Sequence, residues 1–309
     1  MRWSLRRRGS RVLGAILAGT LLLTAAQSAC AQSTGAQAAG SRPAGPLRWS
    51  KNFTRVTWTQ YATTGAMAGL LFFGRHLYEG PKTSQWRRPI LLDREARVWL
   101  AAGSIDGRQT ANDISDYLMY GLMAYPFLDA ALAAGVAHQS YDVAFQMTMI
   151  SLHASLLQKL LSGLTKNLVR RQRPDEQRCS QGEPLSCGAH ARSFFSGHTG
   201  SAFTGAALVC AHHENLPLYG GEGMDRAACG IALTAAATVG GLRVVADRHH
   251  LSDVVVGAAV GILAGYLVPN LINYDFGASS GRGSADGPQG TVAPMASQNL
   301  IGMQYLGMF

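Results

Sequence analysis

VVVGAAVGILAGYLVPNLINY, residues 254–274, runs for 21 residues without a charge. Crossing a bilayer takes about 20 mostly apolar residues, so this stretch is long enough to span one, and far too long for a buried strand. The segments before it share its character. Apolar, helix-length stretches fall near 56–74, 90–103, 112–136, 141–168, 198–212, 225–246 and 252–272, and period-two alternation is almost absent among them. The reading is all-α: a helical bundle of about six to seven helices. Two arrangements accommodate it. Asp116, Asp129 and Asp142 punctuate the middle segments, and carboxylates are expensive inside a membrane, which suits a bundle packed against itself. The length and apolarity of 254–274 suit a membrane-embedded one. Composition leaves the choice open, with 47% apolar residues, 15% charged residues and a mean hydropathy of +0.06.

The two ends read differently from the middle. Arg2, Arg6, Arg7, Arg8 and Arg11 precede an apolar stretch over 12–26, and Ala29-Cys30-Ala31 places small residues at a signal-peptidase site. Residues 1–31 are therefore expected to be a secretory signal directing export to the cell envelope; a first membrane-spanning helix is the alternative. A lipoprotein signal would want Leu three residues before Cys30, and Gln27 stands there. Residues 32–52, rich in Gly, Ala, Ser and Pro, read as a linker, and 53–273 as the helical domain. Residues 274–309 read as a flexible tail, Gly/Ser-rich at first, then apolar and irregular or strand-like to its end. The formal charge is +9, but five Arg of the signal carry part of it and leave +4. That excess is too mild to suggest a nucleic-acid partner. Beyond the signal stand Cys179, Cys187, Cys210 and Cys229, an even number suited to an oxidising compartment. Cys179 and Cys187, close together in a polar loop, are the first candidates for a disulfide. No C-x-x-C pair supports zinc.

Three blocks carry chemistry. The first is KNLVRRQRP (166–174). Lys166 and Arg173 are seven apart, two helical turns, so both cations can share one face of a helix end that Pro174 stops. The second is SFFSGHTG (193–200) at the head of an apolar helix. A helix N-terminus presents unpaired N–H groups to an anion, Gly197 lets backbone approach a ligand, Ser196 adds a hydroxyl and His198 a proton donor. The third is RVVADRHHLSD (243–253), where His249 and Asp253 are neighbours at i and i+4. A carboxylate on one ring nitrogen fixes the tautomer and leaves the other nitrogen free to attack. Arg243 adds a third cation. Each block also has a plainer reading, as a solvated basic face, a Ser-Gly cap or a surface ion pair. His249, His250 and Asp253 could ligate a metal, but no third, distant ligand cluster supports that.

Taken in order, K-x6-R-P, S-G-H and R-x5-H-x3-D resemble the signature of the type 2 phosphatidic acid phosphatase and vanadium haloperoxidase superfamily over roughly residues 140–273. The resemblance implies a metal-free phosphatase with three catalytic residues. His249 would be the nucleophile that forms a phosphohistidine, Asp253 would orient it, and His198 would protonate the leaving oxygen. Lys166, Arg173, Ser196, Gly197 and Arg243 would bind the phosphate. It implies no cofactor, vanadate entering only under the haloperoxidase alternative, and a partner that is a phosphorylated lipid or a small phosphomonoester, with membrane association. Two positions depart from the pattern: Phe195 where Pro is usual, and Leu242 where Ser is usual. Neither carries the nucleophile, the acid or the orienting carboxylate. A non-catalytic protein binding anionic lipid is the remaining alternative, and intact His198, His249 and Asp253 argue against it.

Overall fold

The structure is a computed structural model and describes residues 47–77, 83–176, 191–274, 290–297 and 300–307. Seven helices are described: α1 (Trp58–Leu77), α2 (Asp93–Leu100), α3 (Ile105–Leu128), α4 (Tyr141–Val169), α5 (Gly197–Asn215), α6 (Glu222–Val245) and α7 (Leu251–Ile272). α3 runs on into a π-helical stretch, Asp129–Ala137, and α7 contains another, Leu263–Leu267. In the tail, β1 (Gly290–Ser297) and β2 (Leu300–Gly307) pair antiparallel, Gly290 opposite Gly307, so the strand-like reading holds there. The signal, residues 32–46 of the linker, and Cys179 and Cys187 lie outside the described residues. The described disulfide is Cys210–Cys229, which ties α5 to α6.

α5 is the central rod, and nearly every residue from Thr199 to His213 is buried. Its partners reach it through small residues. Ala202 and Ala206 of α5 meet Ala228, Ala232 and Ala236 of α6 and Met119 and Leu122 of α3 in one cluster. On another side, Gly257, Gly261 and Gly265 of α7 repeat every fourth residue. A Cβ at Gly257 would lie 2.7 Å from the Ser196 carbonyl, and one at Gly261 2.5 Å from that of Gly200. Only glycine allows these two backbones to touch, the close-approach packing seen where helices meet without large side chains between them. This contact sets the register between the helix starting at Gly197 and the helix starting at Leu251.

Far from those starts, polar groups pair inside the bundle. His212 sits between the Ser151 hydroxyl (2.9 Å) and the Tyr274 hydroxyl (2.7 Å), and His213 between Asp225 (2.6 Å) and Asp129 (3.1 Å). Asp129, expensive on paper, is thus partnered. Asp142 is exposed and pairs at the surface with Arg55. Three helices, Ile105–Ala137, Glu222–Val245 and Leu251–Ile272, are long and apolar enough to cross a membrane. Ile114 and Tyr117 of α3, Leu132 of the π-helical stretch after it, Ile231 of α6, and Val255 and Leu263 of α7 are large apolar side chains exposed on these helices.

Candidate active site

The first block ends differently from its sequence reading. α4 stops at Val169, five residues before Pro174, because Arg170 takes the left-handed conformation (φ 49°). The chain then runs extended beside 85–86: Gln85 N–H donates to the Arg170 carbonyl and Gln172 N–H to that of Trp86. Lys166 therefore lies in the last turn of α4, and Arg173 is not on that helix but three residues beyond its cap. The two cations reach the site from different backbone segments.

The second block does cap a helix. The Ser196 hydroxyl accepts the Thr199 N–H at 3.4 Å and pairs with the Thr199 hydroxyl at 2.8 Å, and the Ser196 N–H donates to the Asp253 carbonyl at 3.0 Å. Ser196 is fully buried, so its donors serve the fold. The N–H groups of Gly197 and His198, in the first turn, have no carbonyl behind them within the helix. Gly197 is required by space: a Cβ there would stand 2.7 Å from Lys166 Nζ and 3.0 Å from Ser162 Oγ. An ammonium and a helix N-terminus thus converge, an arrangement complementary to an anion.

The third block brings the histidine. Buried His249 faces buried Asp253, with Nδ1 3.6 Å from Oδ2, longer than a hydrogen bond but close enough to tighten around a substrate. Asp253 is fixed without its help. Oδ2 accepts Ser193 Oγ at 2.5 Å and the His250 N–H at 3.0 Å, and Oδ1 accepts Arg171 Nη1 at 2.5 Å. Burial, followed by the charges of Arg173 and Arg243, holds the His249 imidazole down to about 3, against the pull of Asp253. The ring is neutral at physiological pH, with a free lone pair.

His198 and Arg243 meet on a residue of α3. His198 Nε2 is 3.0 Å from Asp116 Oδ1, which also accepts Arg243 Nη1 at 3.1 Å; the same guanidinium nitrogen reaches Asn112 Oδ1 and Ser115 Oγ at 3.0 Å. The Nε atoms of Arg243 and Arg173 are buried without a protein acceptor, donors that an anion would satisfy. Burial, then Arg243, His249, Lys166 and Lys159, push His198 down to about 2.

The structure therefore brings together Lys166, Arg173, Gly197, His198, Arg243, His249 and Asp253, with Ser196 as their scaffold. Sequence reasoning missed the residues that hold them. Arg171, inside the first quoted block, is fully buried; it links Asp253 to Asp93 of α2 (2.6 Å) and lies 4.0 Å from the Trp86 ring centre. Asp93 also takes the Ser252 N–H (2.8 Å) and hydroxyl (3.0 Å), while Arg97, one turn on, holds Asp247 with bonds of 2.7 and 2.8 Å. One short helix thus grips the His249 loop on both sides. Asp116 did carry a signal, a carboxylate in an apolar helix.

The model of the PAP2 superfamily matches residues 148–276, the stretch that holds all three blocks. No curated protein and no solved structure gives a significant match to the chain. That likeness suggests a phosphatase-type hydrolase acting on phosphorylated substrates.

Proposed function

We propose that the chain is an exported, membrane-associated phosphatase that hydrolyses phosphomonoesters, lipid-linked ones first, through a phosphohistidine on His249 and without a metal ion. What supports this most is the pairing of a neutral, buried His249 with a carboxylate already fixed by three other donors. With the proton on Nδ1, towards Asp253, Nε2 attacks phosphorus as the bond to the leaving oxygen breaks, and His198 gives that oxygen its proton. Water then attacks the phosphohistidine, His198 takes the proton, and orthophosphate leaves. His198 is neutral beside so many cations, but a phosphate dianion cancels their charge, and Asp116 remains to stabilise the imidazolium. The cations and the helix N-terminus stabilise the transferring phosphoryl group by fixed charge; Arg supplies paired contacts and Lys a point charge.

The test is phosphate release by residues 32–309 in detergent and EDTA, with p-nitrophenyl phosphate beside a phosphatidic acid micelle. Release that survives EDTA, faster on the micelle, is the expected result. Loss of release in EDTA would refute the metal-free route. Bromide oxidation with vanadate and peroxide would replace the reading with the haloperoxidase one.

A pH dependence follows from Lys166. Burial and then Arg173, Arg192, Lys159 and Arg243 lower its ammonium to about 7. In the free site it sheds its proton as pH rises through that value, whereas the bound dianion favours the charged form. Affinity for the dianion of inorganic phosphate as a competitive inhibitor, the ligand's own protonation allowed for, is thus expected to be full below pH about 7 and to fall above it. The slope approaches about ten-fold per pH unit, one proton being taken up. Inhibition constants from pH 5.5 to 9 measure this, and Lys166→Arg should flatten the alkaline fall. A fall towards acid pH instead would contradict it.

A further inference from the structure

A groove lies at the end of the bundle away from His249. α5 carries His198 in its first turn and runs to Asn215, about 25 Å at 1.5 Å per residue. Around this far end α5, α6 and α7 leave a space of about 510 Å³, within the range of small-ligand sites. The groove is graded along its length. Its α6 wall is one helical stripe, Glu222, Arg226, Cys229 and Leu233, about 16 Å from end to end. The α5 wall passes from Glu214 to Cys210 and Ala207, and the α7 wall from Tyr266 to Ile262. Charges and a hydroxyl therefore collect at the helix ends, and alkyl groups line the half nearer the middle of the bundle. Midway, the Cys210–Cys229 bridge ties two of the walls together.

The polar end is not a closed network. Asp225 is taken up by His213 (2.6 Å) and the Tyr219 N–H (3.0 Å), and Asp129 holds the other ring nitrogen at 3.1 Å. Glu214 and Glu222 are less committed. Glu214 Oε2 accepts the Tyr266 hydroxyl at 2.5 Å and Glu222 Oε2 accepts Arg226 Nη2 at 3.0 Å, and the second oxygen of each has no partner among the described residues. The Glu222–Arg226 pair is 73% and 81% exposed, so it contributes little and can open towards a ligand at small cost. Two carboxylates beside one guanidinium match a headgroup that joins a cation to a phosphate, the cation meeting the carboxylates and the phosphate meeting Arg226. The other half of the groove calls for hydrocarbon. α6 and α7 are both long and apolar enough to cross a membrane, and Ile262 is 41% exposed at the alkyl end. In a bilayer the charged helix ends sit at the lipid–water boundary, with the alkyl half below it. The inference rests on the membrane association proposed above, not on the phosphatase chemistry. We propose that the groove holds one phospholipid with a primary-ammonium headgroup, a resident lipid whose phosphate is a diester and not a substrate. The N–H donors of a primary ammonium can bond Glu214 and Glu222. A trimethylammonium has none to give, and a headgroup without a cation would set its phosphate against two carboxylates.

The experiment is native mass spectrometry of the full chain in detergent, given phosphatidylethanolamine, phosphatidylcholine or phosphatidylglycerol with the same acyl chains. One phosphatidylethanolamine should stay bound, about ten-fold more tightly than either of the others, as expected for one charged hydrogen bond. Glu214→Gln combined with Glu222→Gln should bring the ethanolamine and choline lipids level, and both positions are exposed, so the unfolding temperature of the lipid-free chain should hold. Leu233→Trp, which fills the alkyl half, should weaken retention of the ethanolamine lipid about ten-fold. Water-soluble glycerophosphoethanolamine should not displace the lipid, because it leaves the alkyl half empty. Equal retention of the three lipids by the wild-type chain overturns the proposal, and so does a preference that survives in the double glutamine variant. Displacement by the soluble headgroup overturns it too, making the groove a site for a free amine. A chain that stays monodisperse without detergent would overturn the membrane reading and this proposal with it, an outcome distinct from the loss of headgroup preference.

Discussion

His249→Ala is expected to reduce phosphate release by on the order of 10^4-fold or more, to the limit of detection. The reason is that the imidazole is asked to form a bond, not to assist one. The remaining cations and helix N-terminus would still bind phosphate, so the competitive inhibition constant of orthophosphate should move far less than kcat. That split separates loss of the nucleophile from loss of the site. The ring is buried, so the variant must also be shown to unfold near the wild-type temperature; His249→Gln, closer in volume, guards against a cavity effect. Brief incubation of the wild-type chain with a ³²P-labelled ester, followed by alkaline quenching, should leave label on the protein that acid removes, as a phosphoramidate bond requires. Asp253→Asn should retain the fold but lower the labelling rate, because an amide no longer selects the Nδ1–H tautomer. Near-normal turnover by His249→Ala would mean that water attacks the ester directly, and the three blocks would then be only a phosphate cradle.

The bundle was legible because helix-length apolar runs leave little else to build. The seven expected segments correspond to the seven described helices, and the errors are at the ends. α3 begins at Ile105, not near 112: Ser104 caps it, accepting the Gly107 N–H at 3.1 Å, before the apolar pattern starts. α4 ends at Val169, within a residue of the expected segment, but a left-handed Arg170 intervenes before Pro174 and leaves Arg173 off the helix; nothing in the residue type announces that conformation. The groups that touch phosphate in the proposed mechanism were legible for a related reason. Each block is contiguous, so its internal geometry follows from helical spacing. Relations between blocks were not. That Gly257, Gly261 and Gly265 seat α7 on α5 could have been suspected from their spacing, but not which backbone they would meet. The Cys210–Cys229 bridge joins positions chosen by the packing of α6 on α5, not by the polarity of a loop. Least legible of all was α2, whose Asp93 and Arg97 act on residues 78 to 159 positions later, a pairing that no local pattern encodes.

Arg171→Met should therefore lower kcat by about 10- to 100-fold while leaving KM comparatively unmoved, the range expected when a residue behind a catalytic group is lost. The wild-type guanidinium lies between two carboxylates, each at most 1% exposed, and is itself at 1%. Removing it leaves Asp93 and Asp253 buried together without a cation, a change that costs about 3–5 kcal/mol of stability. The deficit is relieved in part if one carboxylate takes up a proton, as like charges and burial both favour. When that proton resides on Asp253, it no longer holds the His249 proton on Nδ1. Arg171→Met should then acquire an acid limb that the wild-type chain lacks, with kcat rising as pH increases through the raised carboxyl pKa. Asp93→Asn provides the control. The amide oxygen can still accept from Arg171 and from the Ser252 N–H, and one buried charge is gone. The single variant should lose little in kcat, and combined with Arg171→Met it should recover stability, because one carboxylate is left where there were two. A merely structural Arg171 would give an unstable enzyme with an unshifted pH profile. The new acid limb, and its weakening in the double variant, are what would mark Arg171 as the residue that keeps Asp253 ionised and in place behind His249.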